Sequence, residues 1–382
     1  MVEQALRSTA LEAIHEELGA TFTDFAGWRM PVRYGSDLAE HAAVRESAGL
    51  FDLSHMGEIL IEGPQAPEAL DHAFAGKIST VSVGRAKYTL LLTEDGGVID
   101  DVIVYRRAED RYLVVANASN AEADLAALTE RCADFDTQVI DASAETALIA
   151  VQGPASADIL TRALTGDGDT TGITAEDIEA LGYYRFLEGT YRGEDLLLAR
   201  TGYTGEDGFE LFVDVDSDPH ATERLWEVLE EAGSAHGLVP CGLAARDSLR
   251  LEAGMPLHGH ELSEQIDPFS AGLGGVVALK TKESFVGREA LAAIKENGPA
   301  RRLVGLASDT KRAARPGYTV LHDGTPVGEV TSGAPSPTLG HAVALAFVAP
   351  EHAEAGTELD VDLRGRPSPF RVVQLPFYQR ER

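Results

Sequence analysis

The sequence predicts an α+β fold with a separate, β-rich C-terminal third. Two observations carry this. Short β-like runs are mixed with helical periods without strict β–α alternation, which argues against a doubly wound sheet. From residue 301 onward, frequent turns punctuate β-rich runs, as in a small all-β barrel or sandwich. A chain of 382 residues allows two or three domains, and 44% hydrophobic with 25% charged residues is an ordinary globular balance.

Taken in order, residues 36–49 read as a helix, with Ser36 as the N-cap and Gly49 as the stop just past its end. β-like runs follow at 57–62, 88–93, 98–105 and 112–116, and Asp95-Gly96-Gly97 is a hairpin signal between two of them. Residues 121–131 are expected to be helical, and 138–152 to return to strand before Gly153-Pro154. A polar, acidic loop is expected at 166–172, and strands at 196–201 and 210–213. Leu225, Val228, Leu229 and Ala232 share one helical face, closed by Gly233; a further helix over 243–253 ends at Gly254. In the last third, His322-Asp323-Gly324, residues 333–337 and Arg364-Gly365-Arg366 read as turns, and the polar stretch 296–300 marks the boundary before it.

Asp plus Glu is 62 against 32 Lys plus Arg, a net charge of −30, which argues against a nucleic-acid partner because phosphates would be repelled. The acids are spread along the chain, and only six of the basic residues are lysine. Such a surface resembles that of proteins adapted to concentrated salt, where self-repulsion is screened within about 3 Å at 1 M. Two cysteines exclude a disulfide framework and a four-cysteine zinc site. The apolar runs are too short to cross a bilayer and the N-terminus lacks a signal peptide's apolar core, so a cytoplasmic protein is expected. Gly76-Lys77 continues to Ile78, not to a phosphate-binding hydroxyl, and Gly272-Leu273-Gly274 lacks its third small residue at Val277. His258 and His260 stand without a further ligand cluster, so no metal is expected.

Three stretches carry chemistry. Asp100 and Asp101 interrupt a strand of β-branched residues; side chains alternate across a strand, so the two point to opposite faces. If one face is core, one carboxylate is buried or lines a cavity and needs hydrogen bonds or a cation. A turn-adjacent acid capping backbone N–H groups would look the same. Glycines 202, 205 and 208 let the backbone turn tightly around Tyr203, as an ordinary hairpin connection also would. Arg246 and Arg250 lie one helical turn apart, for a ligand or for a solvated face paired with Asp247 and Glu252.

Seven ordered segments together carry a resemblance: Phe25-Ala-Gly-Trp28 with Met30-Pro31-Val-Arg-Tyr34, Phe51-Asp-Leu-Ser-His55-Met56, Gly97-Val-Ile-Asp-Asp101, Thr201-Gly-Tyr-Thr-Gly205, Ala245-Arg-Asp-Ser-Leu-Arg-Leu-Glu-Ala-Gly254, Phe285-Val-Gly-Arg-Glu-Ala-Leu291, and Thr331-Ser-Gly333 with Ser336-Pro-Thr-Leu-Gly340. From about residue 20 to the C-terminus the chain resembles the T-protein family of the glycine cleavage system, the aminomethyltransferases. The resemblance implies a three-domain cloverleaf with antiparallel sheets and a C-terminal β-barrel around a central folate cavity. Its domains would span 1–50 with 140–296, 51–139, and 301–382. It implies transfer of a methylene from the aminomethyl group on lipoylated H-protein to tetrahydrofolate, giving 5,10-methylenetetrahydrofolate, ammonia and dihydrolipoyl H-protein, without a metal. By motif, Asp100 would be the catalytic acid. Met56, Asn117, Tyr203, Glu210 and Arg246 would contact the folate. A carboxylate such as Glu210 suits the paired N–H donors of a pterin edge, and a guanidinium suits carboxylate or carbonyl oxygens. Met255, His258 and His260 depart from the family pattern on one wall of that cavity.

Two relatives with other activities compete. A folate-binding protein of iron–sulfur assembly would carry a reactive cysteine where Ser284 stands in Lys282-Glu-Ser-Phe-Val-Gly-Arg-Glu289. A folate-dependent demethylase shares the expected cavity, although the flavin domain of an amine oxidase is missing from the sequence.

Overall fold

The computed structural model describes residues 5–165, 171–216 and 218–380. Among the described residues there are four β-assemblies: a two-stranded antiparallel hairpin, Thr21–Phe25 with Trp28–Arg33, and three larger ones that organise the chain. A five-stranded antiparallel sheet is ordered Arg85–Leu92, Val98–Arg106, Arg111–Ala116, Gly57–Glu62, Gln138–Asp141. A six-stranded sheet is ordered Phe186–Tyr191, Glu194–Ala199, Gly208–Asp214, Thr146–Gln152, Ala48–Asp52, Leu238–Pro240, with its last pair parallel. Six strands between Arg302 and Val373 close a barrel, which decides between the barrel and sandwich readings.

Period-two patterning explains how the two sheets meet. Leu113, Val115 and Tyr105 of the five-stranded sheet pack with Leu148, Ala150, Leu197 and Phe212 of the six-stranded sheet in one buried cluster. The outward faces are covered by helices. Ala66–Ala73 and Ala121–Cys132 cover one sheet, while Ser156–Leu164 and Ala221–Gly233 cover the other. Leu225, Trp226 and Leu229 of the last helix are fully buried, each aliphatic side chain contributing roughly 1.5–3 kcal/mol.

Most expected elements are present, with instructive exceptions. Helix Asp37–Glu46 is capped by Ser36, whose side chain accepts from Ala39 N at 3.3 Å. Gly49 is not its stop but the second residue of strand Ala48–Asp52. It is small because a Cβ there would meet Val44 at 2.5 Å and Cys241 Sγ at 2.6 Å. The run expected over 138–152 is two strands that belong to different sheets, Gln138–Asp141 and Thr146–Gln152. Residues 333–335 extend strand Thr325–Pro335 rather than turning. Most of the acidic loop expected at 166–172 lies outside the described residues.

Helix Leu243–Glu252 sits between the sheets and the barrel, and ends at Gly254 with φ +66°. Its last residue, Glu252, is a buried junction. Oε2 faces Arg45 Nη2 at 2.9 Å and His41 Nε2 at 3.1 Å, while Thr338 donates from Oγ1 at 2.7 Å and Ser336 from its hydroxyl. Burial opposes ionisation, but these donors outweigh it and hold the carboxyl at about 2. Among the described residues no helix is long and apolar enough to cross a membrane.

Candidate active site

A cavity of about 550 Å³ opens where the two sheets, helix Leu243–Glu252 and the 255–260 segment converge. The barrel reaches its wall indirectly: Arg250 Nη2 donates to Ser332 Oγ at 2.8 Å, and His260 Nδ1 lies 2.9 Å from Thr331 O.

Strand Val98–Arg106 places the paired aspartates as alternation requires, but with the faces assigned the other way round from the motif-based expectation. Asp101 and Ile103 line the cavity. Asp100 is fully buried on the helix-covered face, with Val102 and Val104. There Asp100 accepts Asn117 N at 2.9 Å, Asn117 Nδ2 at 2.8 Å and Asn120 Nδ2 at 2.6 Å. Asp124, one helical turn after Asn120, packs into the same buried space; burial first, and then the charge of Asp100, push Asp124 up to about 10. Asp124 therefore keeps its proton at neutral pH.

Asp101 has a different set of partners. Tyr88 OH donates to Oδ2 at 3.0 Å and Asn117 Nδ2 to Oδ1 at 3.0 Å. One amide thus serves both aspartates. Burial first, and the neighbouring charge of Asp100 second, push Asp101 up to about 8, against the two hydrogen bonds that favour its anion. At pH 7 it is mostly protonated, and it can exchange a proton near neutrality.

The other expected residues converge on the same cavity: Met56, Asn117, Tyr203, Glu210 and Arg246 all line it. Glu210 comes from strand Gly208–Asp214, where its Oε2 accepts from Thr201 Oγ1 and, at 3.4 Å, from Tyr105 OH. Burial raises its pKa, opposed by those donors and by Arg246. No partner holds Oε1 among the described residues. Arg246 lies over the Tyr203 ring at 4.8 Å, and its guanidinium makes no hydrogen bond among the described residues. Tyr203 OH is anchored on Pro256 O. Arg250, by contrast, is fully used: it reaches Asp247 at 2.7 Å and Glu261 at 3.1 Å. It is therefore a buried tether, not part of a solvated face. His258 and His260 also line the cavity, and each has a ring nitrogen near a backbone carbonyl, Val98 O at 3.4 Å and Thr331 O at 2.9 Å.

Sequence reasoning offered Asp101 only as one of two carboxylates that alternation sends to opposite faces, and had no role for Tyr88. Alternation with Ile103 and Tyr105 was the available signal for Asp101. Tyr88 lies on the neighbouring strand, where it pairs with Ile103.

A partly open, largely apolar cavity that gathers a protonatable carboxyl, a second carboxylate with an open oxygen and an unpaired guanidinium has the make-up of an enzyme's small-molecule site. The chain belongs to the glycine cleavage T-protein family. The GCVT N-terminal domain matches residues 11–281, and the glycine cleavage T-protein C-terminal barrel domain matches residues 301–379. An aminomethyltransferase of Streptomyces avermitilis is 56% identical over 386 residues, covering the whole of both chains. One from Cutibacterium acnes is 56% identical over 98% of this chain and 99% of its own. The crystal structure of the glycine cleavage system aminomethyltransferase T from Bartonella henselae matches with a TM-score of 0.88 at 38% identity, over 98% of each chain. The activity that follows from this membership is aminomethyl transfer.

Proposed function

We propose that the cavity binds tetrahydrofolate and that Asp101 manages the protons of methylene transfer from the aminomethyl-lipoyl arm of H-protein. The observation that supports this most is a carboxyl on the cavity wall whose proton affinity is raised to near neutrality. In the overall reaction the methylene exchanges its bonds to sulfur and to the amine for bonds to N5 and N10 of the folate. Two protons leave those nitrogens, one ending on the thiol and one on ammonia. Asp101 starts protonated, donates towards the departing amine, and as an anion accepts the proton released when the second nitrogen closes on the methylene. Tyr88 and Asn117 hold the carboxyl in place through both states. No metal enters this scheme.

The residues present suit a reduced pterin. Glu210 offers its open oxygen to adjacent N–H donors, and Arg246 offers free donors to oxygen atoms. Tyr203 supplies a flat wall that Arg246 backs. Holding two reactants in register can supply about 7–11 kcal/mol of the barrier. Glu210→Ala is expected to weaken tetrahydrofolate binding by about 10–100-fold, since hydrogen bonds to a charged group contribute roughly 1.5–3 kcal/mol. Calorimetric titration checks this, and an unchanged affinity removes Glu210 from the binding set.

On this reading the enzyme works in a salt-rich cytoplasm with lipoylated H-protein as its partner. The net charge of −30 supports that setting. The melting midpoint followed by far-UV circular dichroism is expected to rise, and the transition to sharpen, between dilute buffer and molar KCl. Superimposable melts would remove the salt-adaptation reading.

A further inference from the structure

We propose that Phe25 receives the lipoyl arm of H-protein at the mouth of the cavity, its ring packing against the arm's alkyl chain. This rests on the reading of the cavity as the site of methylene transfer to tetrahydrofolate. Phe25 ends strand Thr21–Phe25, which among the described residues pairs only with Trp28–Arg33 in the two-stranded hairpin. The base of the hairpin is fixed. Met30 is buried, and the backbone of Val32 lies so near Gly242 that a Cβ there would meet it at 2.4 Å. The turn after Phe25 takes left-handed backbone at Ala26 (φ +53°) and Gly27 (φ +80°), and Asp24 closes it by accepting Gly27 N at 3.0 Å. Phe25 lines the cavity and is 39% exposed, so its ring stands where the cavity opens.

Two flanks of that mouth differ in chemistry. Tyr183, also exposed on the cavity wall, lies among the charges of Glu210, Arg380 and Asp207. Phe25 instead continues into an apolar strip. Its ring meets that of His55 edge-on, with centroids 5.5 Å apart. Two residues earlier, Leu53 donates its N–H to Leu148 O at 2.8 Å, and both leucines line the cavity. A pterin needs hydrogen-bonding partners along its edge, and Glu210 and Arg246 stand on other elements, strand Gly208–Asp214 and helix Leu243–Glu252. Asp24, beside Phe25 on the hairpin tip, would repel the glutamate carboxylates of a folate and attract the ammonium of an aminomethyl group. The lipoyl arm is a neutral amide on a run of CH2 groups. Burying such groups against an aromatic ring is favourable, with no charge for salt to screen.

The test compares the wild-type chain with Phe25→Ala, Phe25→Gln and Phe25→Leu, each melted to confirm folding. Ammonia release is measured with aminomethylated H-protein and tetrahydrofolate varied in turn, and unlipoylated H-protein is titrated as a competitive inhibitor. Phe25→Ala and Phe25→Gln are expected to raise KM for aminomethylated H-protein about tenfold, the loss of one aromatic anchor, and either variant decides the question alone. Phe25→Leu keeps an apolar side chain and should stay within about threefold of wild type. Tetrahydrofolate affinity by calorimetry, and the inhibition constant of unlipoylated H-protein, should stay within about twofold throughout. An unchanged KM for aminomethylated H-protein overturns the inference. So does tetrahydrofolate affinity weakened to the same extent, which gives Phe25 to the folate, or an equally raised inhibition constant, which gives it to the body of H-protein. Wild-type protein that neither binds tetrahydrofolate nor releases ammonia overturns the reading of the cavity itself, a result distinct from any difference between variants.

Discussion

Asp101→Asn is expected to lower aminomethyl transfer by about 10²–10⁴-fold, the range for losing a positioned proton donor. The fold should survive, because the amide, like the protonated carboxyl it replaces, is neutral beside Asp100 and can still engage Tyr88 and Asn117. The melting midpoint is expected to hold or rise. Turnover should also carry the signature of this group. Its raised proton affinity keeps the acid form at pH 7, so the rate is expected to be flat below about 8 and to fall as pH rises through that value. The measurement is ammonia and free thiol released from aminomethylated H-protein and tetrahydrofolate across pH 6–10 (roughly two units either side of the group's value). A variant turning over near the wild-type rate, or a rate climbing through pH 8, defeats the assignment of an acid role.

Asp100→Asn is expected to do its main damage to stability. Asp100 is completely buried and accepts three N–H groups, one of them the backbone N–H of Asn117. An amide can present only one oxygen, so at least one of those donors would face an NH2 group. An unsatisfied buried donor costs about 1–3 kcal/mol, and loss of the charge-assisted bonds adds to it. The melting midpoint should drop by several degrees, with activity falling because Asn117 no longer fixes Asp101. A denaturation midpoint equal to wild type would contradict this support role. The contrast between the two variants tests the proposal that Asp101 meets the substrate while Asp100 holds Asn117 in place.

Much of the architecture was legible from pattern. The hairpin turn at Asp95-Gly96-Gly97, the cap at Ser36 and the apolar face around Leu225 and Leu229 follow from local chemistry, and the structure has each of them. The change of character at residue 301 marked the barrel. What failed was information that only packing supplies. Gly49 has the composition of a helix stop but serves as a close-approach residue beneath Cys241. The run over 138–152 carries no internal sign that its halves join different sheets. Alternation placed Asp100 and Asp101 on opposite faces, but which face is the cavity depends on which side helix Ala121–Cys132 covers, and that is set by packing. The candidate binding residues Met56, Tyr203, Glu210 and Arg246 could be gathered only by family resemblance, since no local rule joins segments about 190 residues apart.

The junction at Glu252 ties the helix that carries Arg246 to residues encoded near opposite ends of the chain: His41 and Arg45 early, Ser336 and Thr338 late. During synthesis the earlier half of this clamp exists long before the later half. Bracing of this cavity wall therefore requires that the barrel segment carrying Ser336 and Thr338 has been made and has docked.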